Sequence, residues 1–506
     1  MSDRRPSRPS HPSRPTRAPL VRDSALDSLL ARDDLELDDD DLPGPGAPSM
    51  RRSRAAIAPS PPPAPQSSSL LPASAPTGPR RTAFVLSGGG ARGAYEVGVL
   101  SYIFGEMTRL RGGRPPRLDI VCGTSVGAIN ACCLAAHAAD PVGGVARLVT
   151  LWDELELSKV LGFGIRQAVS LPRMLLGGGA SAAGIFDVRP MAELVEREVG
   201  WRAVSRNLRR GNLRALSIST TEVSTGRTVI WMQTGPDVAL PATAPPRTLI
   251  RSDLITTSHA LASAAIPLLF PPVRLGGEYY CDGGLRLNTP IAPALRLGAT
   301  HVFAVALSRE VTGVVTAESG PIAPRPLGAA ALLGKVLNAF LLDHVTNDLD
   351  VLARINSMIS DGVVAYGPDF VTKVSEAARG RGGESYRPVR CLALKPTEDI
   401  GRLAADHVSR GKFQGSAMIG KQLLKILYIG GDTDADLASY LLFDGGFARK
   451  LMDLGRADAA ARREDLLSFF ADDEGIVAEV ERTESDPSRA SVTGEARWSH
   501  GTKIVG

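Results

Sequence analysis

Ala83-Phe84-Val85-Leu86 is a short apolar run set between Thr82 and a cluster of glycines. A short run with no polar alternation, stopped by glycine, predicts a strand buried on both faces. Residues 94–110 then read as a helix and 118–122 as a second buried strand. Residues 126–139 read as a helix of small side chains that can lie close on a sheet. Strand and helix in quick alternation predict a parallel sheet with covering helices. Further on, 213–220 and 227–233 partly alternate around Ser224-Thr225-Gly226, a hairpin pattern. Residues 259–266 predict a helix halted by Pro267, and 302–307 another buried strand. Beyond 310 the pattern is mostly helical, over 329–359 and 437–482, with one more strand at 389–394. No internal repeat interrupts this order.

Composition bounds the picture. The chain has 506 residues, 43% hydrophobic and 22% charged, with a formal charge of +4. That is enough apolar material for a sizeable core, and it lacks the clustered basic face of a nucleic-acid protein. Residues 1 to about 80 are rich in Pro, Ser, Arg and Ala and carry an acidic stretch at 33–41. Such a segment buries too little to offset chain entropy and is expected to lack fixed structure. The four expected regions are a tail over 1–81, a catalytic domain over 82–309, a helical extension over 310–482 and a second tail over 483–506.

Five cysteines, Cys122, Cys132, Cys133, Cys281 and Cys391, stand in apolar surroundings with no CxxC pair. They read as reduced core thiols, and no metal or cofactor is expected. The N-terminus has no apolar signal core, and no apolar stretch reaches 18 residues. The longest, 327–342, is broken by Lys335 and Asn338. A cytoplasmic chain, soluble or peripheral to a membrane, is the expectation.

Three glycine-flanked sites carry the chemistry. Gly88-Gly89-Gly90-Ala91-Arg92-Gly93 joins a strand to a helix. Glycine brings backbone amides close to a ligand, and a helix N-terminus favours negative charge there, so this is an anion site. It also fits the dinucleotide pattern GxGxxG, which needs an acidic residue closing the second strand, about 20 residues on. That strand closes with Gly123, and Asp119 lies at its other end. The second site, Gly123-Thr124-Ser125-Val126-Gly127, follows a buried strand and opens a helix, the context of a nucleophile elbow. The third, Asp282-Gly283-Gly284, is a tight turn able to aim a carboxylate at a nearby hydroxyl. The same tripeptide recurs at Asp444-Gly445-Gly446, within helical sequence, where it reads as a helix stop.

Together, SGGGARGAYEVGVL (87–100), GTSVGAINA (123–131), ASAAIPLLFPPV (262–273) and CDGGLRLNTP (281–290) resemble the patatin-like phospholipase family. The resemblance implies a three-layer α/β/α fold with a mostly parallel central sheet. It also implies hydrolysis of fatty-acyl esters of phospholipids or other lipids without a metal. By matched position, Ser125 would be the nucleophile and Asp282 its base, with Gly123 and Gly127 flanking the elbow. Gly88, Gly89, Gly90, Arg92 and Gly93 would form the oxyanion loop, Arg92 helping to hold it. The family's loop often begins with Asp, where this chain has Ser87. The helical extension is similar to those of some bacterial members. The implied partner is a lipid, met at a membrane surface.

One other hydrolase reading stands beside it: a triad of Ser125, Asp282 and His301, in the chain order of α/β-hydrolases. His137 and His259 lie on apolar helices and read as structural. Residues 155–176 mix Leu, Val and Phe with Lys159, Arg166 and Arg173, a pattern that fits either a surface-seeking cap or ordinary packing.

Overall fold

A computed structural model describes residues 69–70, 79–162, 186–309, 344–381, 383, 385–410 and 436–471. All of them fall within one unit, Gln66–Gly506.

The central sheet is built on five parallel strands in the order β10 (Arg390–Leu394), β9 (His301–Val305), β2 (Thr82–Leu86), β3 (Ile120–Thr124) and β4 (Ala215–Glu222). β5 (Thr228–Thr234) returns antiparallel beside β4, as the hairpin pattern predicts, and β6 (Thr248–Ser252) runs parallel to β5. β7 (Val273–Leu275) pairs with β8 (Glu278–Asp282), which in turn pairs with β4. The outermost strand, β1 (Ser69–Leu70), lies antiparallel to β10 and falls inside the stretch expected to lack structure. The rest of that tail before residue 79 lies outside the described residues.

The apolar runs explain themselves in this sheet. Phe84 and Leu86 belong to one core with Val121, Ile218, Phe303 and Leu392; Ala83 and Val85 belong to another with Ile120, Cys122, Val302 and Ala304. A parallel strand covered on both faces has no polar face, so its sequence cannot alternate. Helices Ala94–Ser101, Val126–Ala136 and Gly445–Ala461 cover the first face; Ile291–Arg296 and part of His344–Tyr366 cover the second. The result is the three-layer α/β/α arrangement expected of the sequence.

The boundary drawn at residue 309 separates motif-bearing from motif-free sequence, not two cores. Arg390–Leu394 extends the sheet, and Phe447, Leu451, Phe469 and Phe470 share a core with Phe84 and Phe303. Gly98 and Gly455 let two helices touch: a Cβ on Gly98 would lie 2.2 Å from the Met452 carbonyl oxygen. The expected helix at 94–110 is observed as an α-helix, a π-turn over Tyr102–Met107 and a last turn Thr108–Leu110.

One expectation is corrected. Asp444-Gly445-Gly446 does not stop a helix; it starts Gly445–Ala461. Asp444 is the N-cap, and its carboxylate accepts the Phe447 N–H at 3.1 Å. The first residues of 155–176 pack into the core, with Leu155, Leu157, Val160 and Leu161 buried. Residues 163–185 and 310–343 lie outside the described residues. Among the described residues no helix is long and apolar enough to cross a membrane.

Candidate active site

The register of β4 brings the three glycine sites together. Along one edge of β4, Ser219 pairs with Thr124, the last residue of β3. The next residue of that edge, Thr220, pairs with Asp282, the last residue of β8. β8 thus takes over the edge where β3 ends, and the chain turns at Ser125 beside Asp282. Ser125 Oγ donates to Asp282 Oδ2 at 2.6 Å, across 157 residues of sequence.

The elbow is sterically forced. Ser125 has φ 54°, ψ −129°, a left-handed conformation that costs a non-glycine residue energy and is held only by its surroundings. A Cβ on Gly123 would lie 2.3 Å from the Gly127 carbonyl oxygen, and one on Gly127 would lie 2.5 Å from the Leu86 carbonyl oxygen. Both positions therefore need glycine. The Ser125 N–H donates to Ser263 Oγ at 2.9 Å, and that hydroxyl donates to the Ser219 carbonyl at 2.7 Å. Ser125 is 2% exposed and opens the helix Val126–Ala136, whose N-terminal dipole favours negative charge on Oγ.

Asp282 is fully buried. Its Oδ1 accepts the Gly284 N–H at 2.7 Å, and its own N–H donates to the Ala265 carbonyl at 2.9 Å. Burial raises its carboxyl to about 7; the bonds from Ser125 and Gly284 offset part of that rise. A carboxylate held near neutrality and bonded to a hydroxyl is suited to accept a proton.

The glycine loop leaves β2 beside this pair. Gly88 exchanges bonds with Asn288: its N–H donates to the Asn288 carbonyl at 3.2 Å, and Asn288 Nδ2 donates back to the Gly88 carbonyl at 3.3 Å. Ser87, where the family often has Asp, is bonded to Thr289 Oγ1 at 2.6 Å and donates to the Val305 carbonyl at 2.7 Å. The Arg92 N–H is committed to the Gly89 carbonyl at 3.2 Å. The N–H groups of Gly89 and Gly90 donate to no carbonyl among the described residues. Gly90 has φ +58°. Gly93 fits tightly over the elbow helix, where a Cβ would lie 2.8 Å from both methyls of Val126. The Arg92 Nε donates to Ser439 Oγ at 2.7 Å.

Behind loop and elbow lies a carboxyl the sequence reading did not single out. Glu96 is fully buried, accepts Asn130 Nδ2 at 2.9 Å, and burial raises it to about 8. Asn130 also donates to the Gly93 carbonyl and accepts from Trp152 Nε1. This network joins the glycine loop, the elbow helix and the helix Pro141–Asp153. Asn130 lies inside GTSVGAINA and Asn288 inside CDGGLRLNTP, but the remote groups their amides hold have no signature in either motif.

The two other readings find no support here. His301 is level with Thr82 in the β2–β9 register, whereas Ser125 lies beyond Leu86 at the far end of the strand, more than about 13 Å away along it. Its Nδ1 is bonded to Thr300 Oγ1 and its ring meets Phe469 edge-on. Asp119 is at the His301 end of the strand, away from Ser125, accepting the Thr82 N–H at 2.8 Å and pairing with Arg117. His259 completes a capping box with Thr256 and meets the Trp231 ring edge-on. His137 Nδ1 is bonded to the Cys133 carbonyl. All five cysteines are buried and free, and the described residues hold no cluster able to bind a metal.

Comparison with known proteins agrees with the motifs. Residues 84–295 match the family model described as patatin-like phospholipase. Over 219 residues the chain is 32% identical to a cGAMP-activated phospholipase of Pseudomonas aeruginosa, covering 42% of this chain. The match spans only 55% of that relative's length. Among solved structures, VipD of Legionella pneumophila shares 13% identity at a TM-score of 0.24, over 80% of this chain and 72% of that one. Full-length ExoU, in complex with SpcU of the Pseudomonas aeruginosa type III secretion system, shares 15% identity at a TM-score of 0.23, over 86% and 99%.

Proposed function

From a chain whose residues 84–295 match the patatin-like phospholipase family model, we propose a serine acyl hydrolase that cleaves fatty-acyl esters of lipids through a Ser125–Asp282 dyad. The supporting observation is the 2.6 Å hydrogen bond from Ser125 Oγ to a buried carboxylate raised to about 7. In the first step Ser125 Oγ attacks the ester carbonyl and its proton passes to Asp282 Oδ2. The Gly89 and Gly90 N–H groups receive the oxyanion. As the tetrahedral intermediate collapses, the proton passes to the departing alcohol and an acyl-enzyme remains. Water then attacks the acyl carbon, giving its proton to Asp282, and the fatty acid leaves as Ser125 recovers its hydrogen. Gly88 and Arg92, with their N–H groups already bonded, hold the loop in this scheme.

The lipid class of substrate is supported by an apolar cleft of about 80 Å³ that reaches Val126, the residue after Ser125. Ile129, Leu148, Trp152, Met191 and Phe443 line it. Its walls are mostly apolar, with Asn130 and Glu198 the polar residues among them, and suit an acyl chain.

A lipid panel tests the reading: fatty-acid release from phospholipid, lysophospholipid and acylglycerol vesicles, by wild type and Ser125→Ala. Release from at least one lipid ester by wild type, reduced to background in Ser125→Ala, is expected. Equal release by both proteins, or none by wild type on any ester, contradicts it.

A further inference from the structure

The matched motifs end at residue 290, yet a much later segment lies against the glycine loop. The helix Asp436–Leu441 places Ser439 and Tyr440, both fully buried, against Arg92. Arg92 is 4% exposed. Beyond its bond to Ser439, its guanidinium carbon sits 4.4 Å from the centroid of the Tyr440 ring. A buried guanidinium is costly unless bonded and faced, and this segment supplies both a hydroxyl and an aromatic face. The backbone presses on the loop as well. A Cβ on Gly90 would lie 2.3 Å from the Tyr440 carbonyl oxygen, so the left-handed turn of the loop is shaped to accept this strap.

The same strap continues to the acyl cleft. Phe443 lines the cleft, with its ring 6.4 Å from that of Trp152. Just after the strap, the Gly445 N–H donates to the carbonyl of Leu155, which also lines the cleft, at 2.8 Å. One short stretch therefore touches both the oxyanion loop and the acyl wall, from outside the sequence that carries the dyad.

We propose that residues 439–443 are a positioning element of the active site: Ser439 and Tyr440 hold Arg92 and thereby the Gly89 and Gly90 N–H groups, and Phe443 is one wall of the acyl cleft. This rests on the acyl-hydrolase reading, because the N–H groups matter only if an oxyanion forms there. A donor displaced by about 1 Å loses much of its transition-state bond while leaving substrate binding almost untouched. The strap's contribution is therefore to kcat through Arg92 and to acyl-chain recognition through Phe443.

The test uses the full chain and the variants Ser439→Ala, Tyr440→Leu, Tyr440→Phe and Phe443→Ala. Each is assayed for kcat and KM on a short soluble ester and a long-chain lipid, with thermal unfolding and amide exchange over residues 88–94. Ser439→Ala and Tyr440→Leu should lower kcat about 10- to 100-fold with KM nearly unchanged. Both should speed exchange over 88–94, and Tyr440→Phe should restore both readouts. Phe443→Ala should raise KM for the long chain more than for the short ester. Folded Ser439→Ala and Tyr440→Leu proteins with wild-type kcat and wild-type exchange overturn the proposal. So does a Tyr440→Phe protein no better than Tyr440→Leu. If wild type cleaves no ester while 88–94 still loosens in the variants, the hydrolase reading fails and the holding of the loop stands.

Discussion

Asp282-Gly283-Gly284 and Asp444-Gly445-Gly446 are the same tripeptide in two places, and they do different work. Each aspartate uses one oxygen in the way its local sequence dictates: Asp282 Oδ1 accepts the N–H two residues on, Asp444 Oδ1 the N–H three residues on. Turn chemistry of this kind is readable from a few residues. The roles diverge at what else each carboxylate meets. Asp282 Oδ2 meets the hydroxyl of a strained serine beside a glycine loop. Asp444 Oδ1 meets His407 Nε2 at 3.0 Å, in the packing that fixes a helix end. The lesson is that a tripeptide sets an orientation, and a remote partner sets a function.

The largest effect should separate the two aspartates. Asp282→Asn is expected to lower kcat about 10⁴-fold with no loss of thermal stability. Asp444→Ala should do the opposite. It should lose about 1–2 kcal/mol of stability through its cap, and more through the His407 bond, while the folded fraction keeps most of its turnover. Steady-state kinetics beside thermal unfolding read both; loss of turnover from Asp444→Ala in folded protein would erase the distinction.

Gly90→Ala comes next. Its φ of +58° and the nearby Tyr440 carbonyl leave no room for a methyl group. Moving that N–H should cost about 10²-fold in kcat, seen with a soluble ester so that lipid access plays no part.

The pH response is smaller and sharper. Asp282 must be ionised to accept the serine proton, so kcat/KM should rise about tenfold per pH unit below about 7 and level off above it. The stability sign follows from the same shift. A folded value of about 7, above the unfolded carboxylate's, means that Asp282 favours the fold most at low pH. That contribution is lost as pH rises through 7. Asp282→Asn should therefore gain thermal stability relative to wild type between pH 4 and pH 8, and parallel curves would contradict the buried carboxyl.

The smallest effect belongs to His301. With its ring at the other end of the sheet from Ser125, His301→Ala should change kcat less than about threefold, since nothing connects it to the reacting atoms. A loss comparable to that of Asp282→Asn would restore the triad.

These contrasts also explain what the sequence made legible. The buried strands, the elbow and the glycine loop were readable because each is local: apolar runs without alternation, then glycines where backbone approaches backbone. The meeting of Ser125 and Asp282 was expected only through the family resemblance, because it depends on β8 continuing the edge that β3 vacates on β4. No local pattern encodes that register. Ser263, Asn130, Asn288 and Glu96 escaped for the same reason, each bonding to an element remote in sequence. Arg189–Glu198 and Trp201–Arg210 are different, since their helical periodicity is local and legible in the sequence. At Asp444 the paired glycines suggest a helix stop, whereas the aspartate caps a helix start. The strap at 439–443 could not have been read from motifs at all.

One measurement bears most directly on the dyad: the site and rate of fluorophosphonate labelling in wild type and Asp282→Asn, located by peptide mass spectrometry. The account expects the label on Ser125 alone in wild type, forming far more slowly once the carboxylate is gone. Labelling of some other serine, or of Ser125 at the same rate in both proteins, would contradict it.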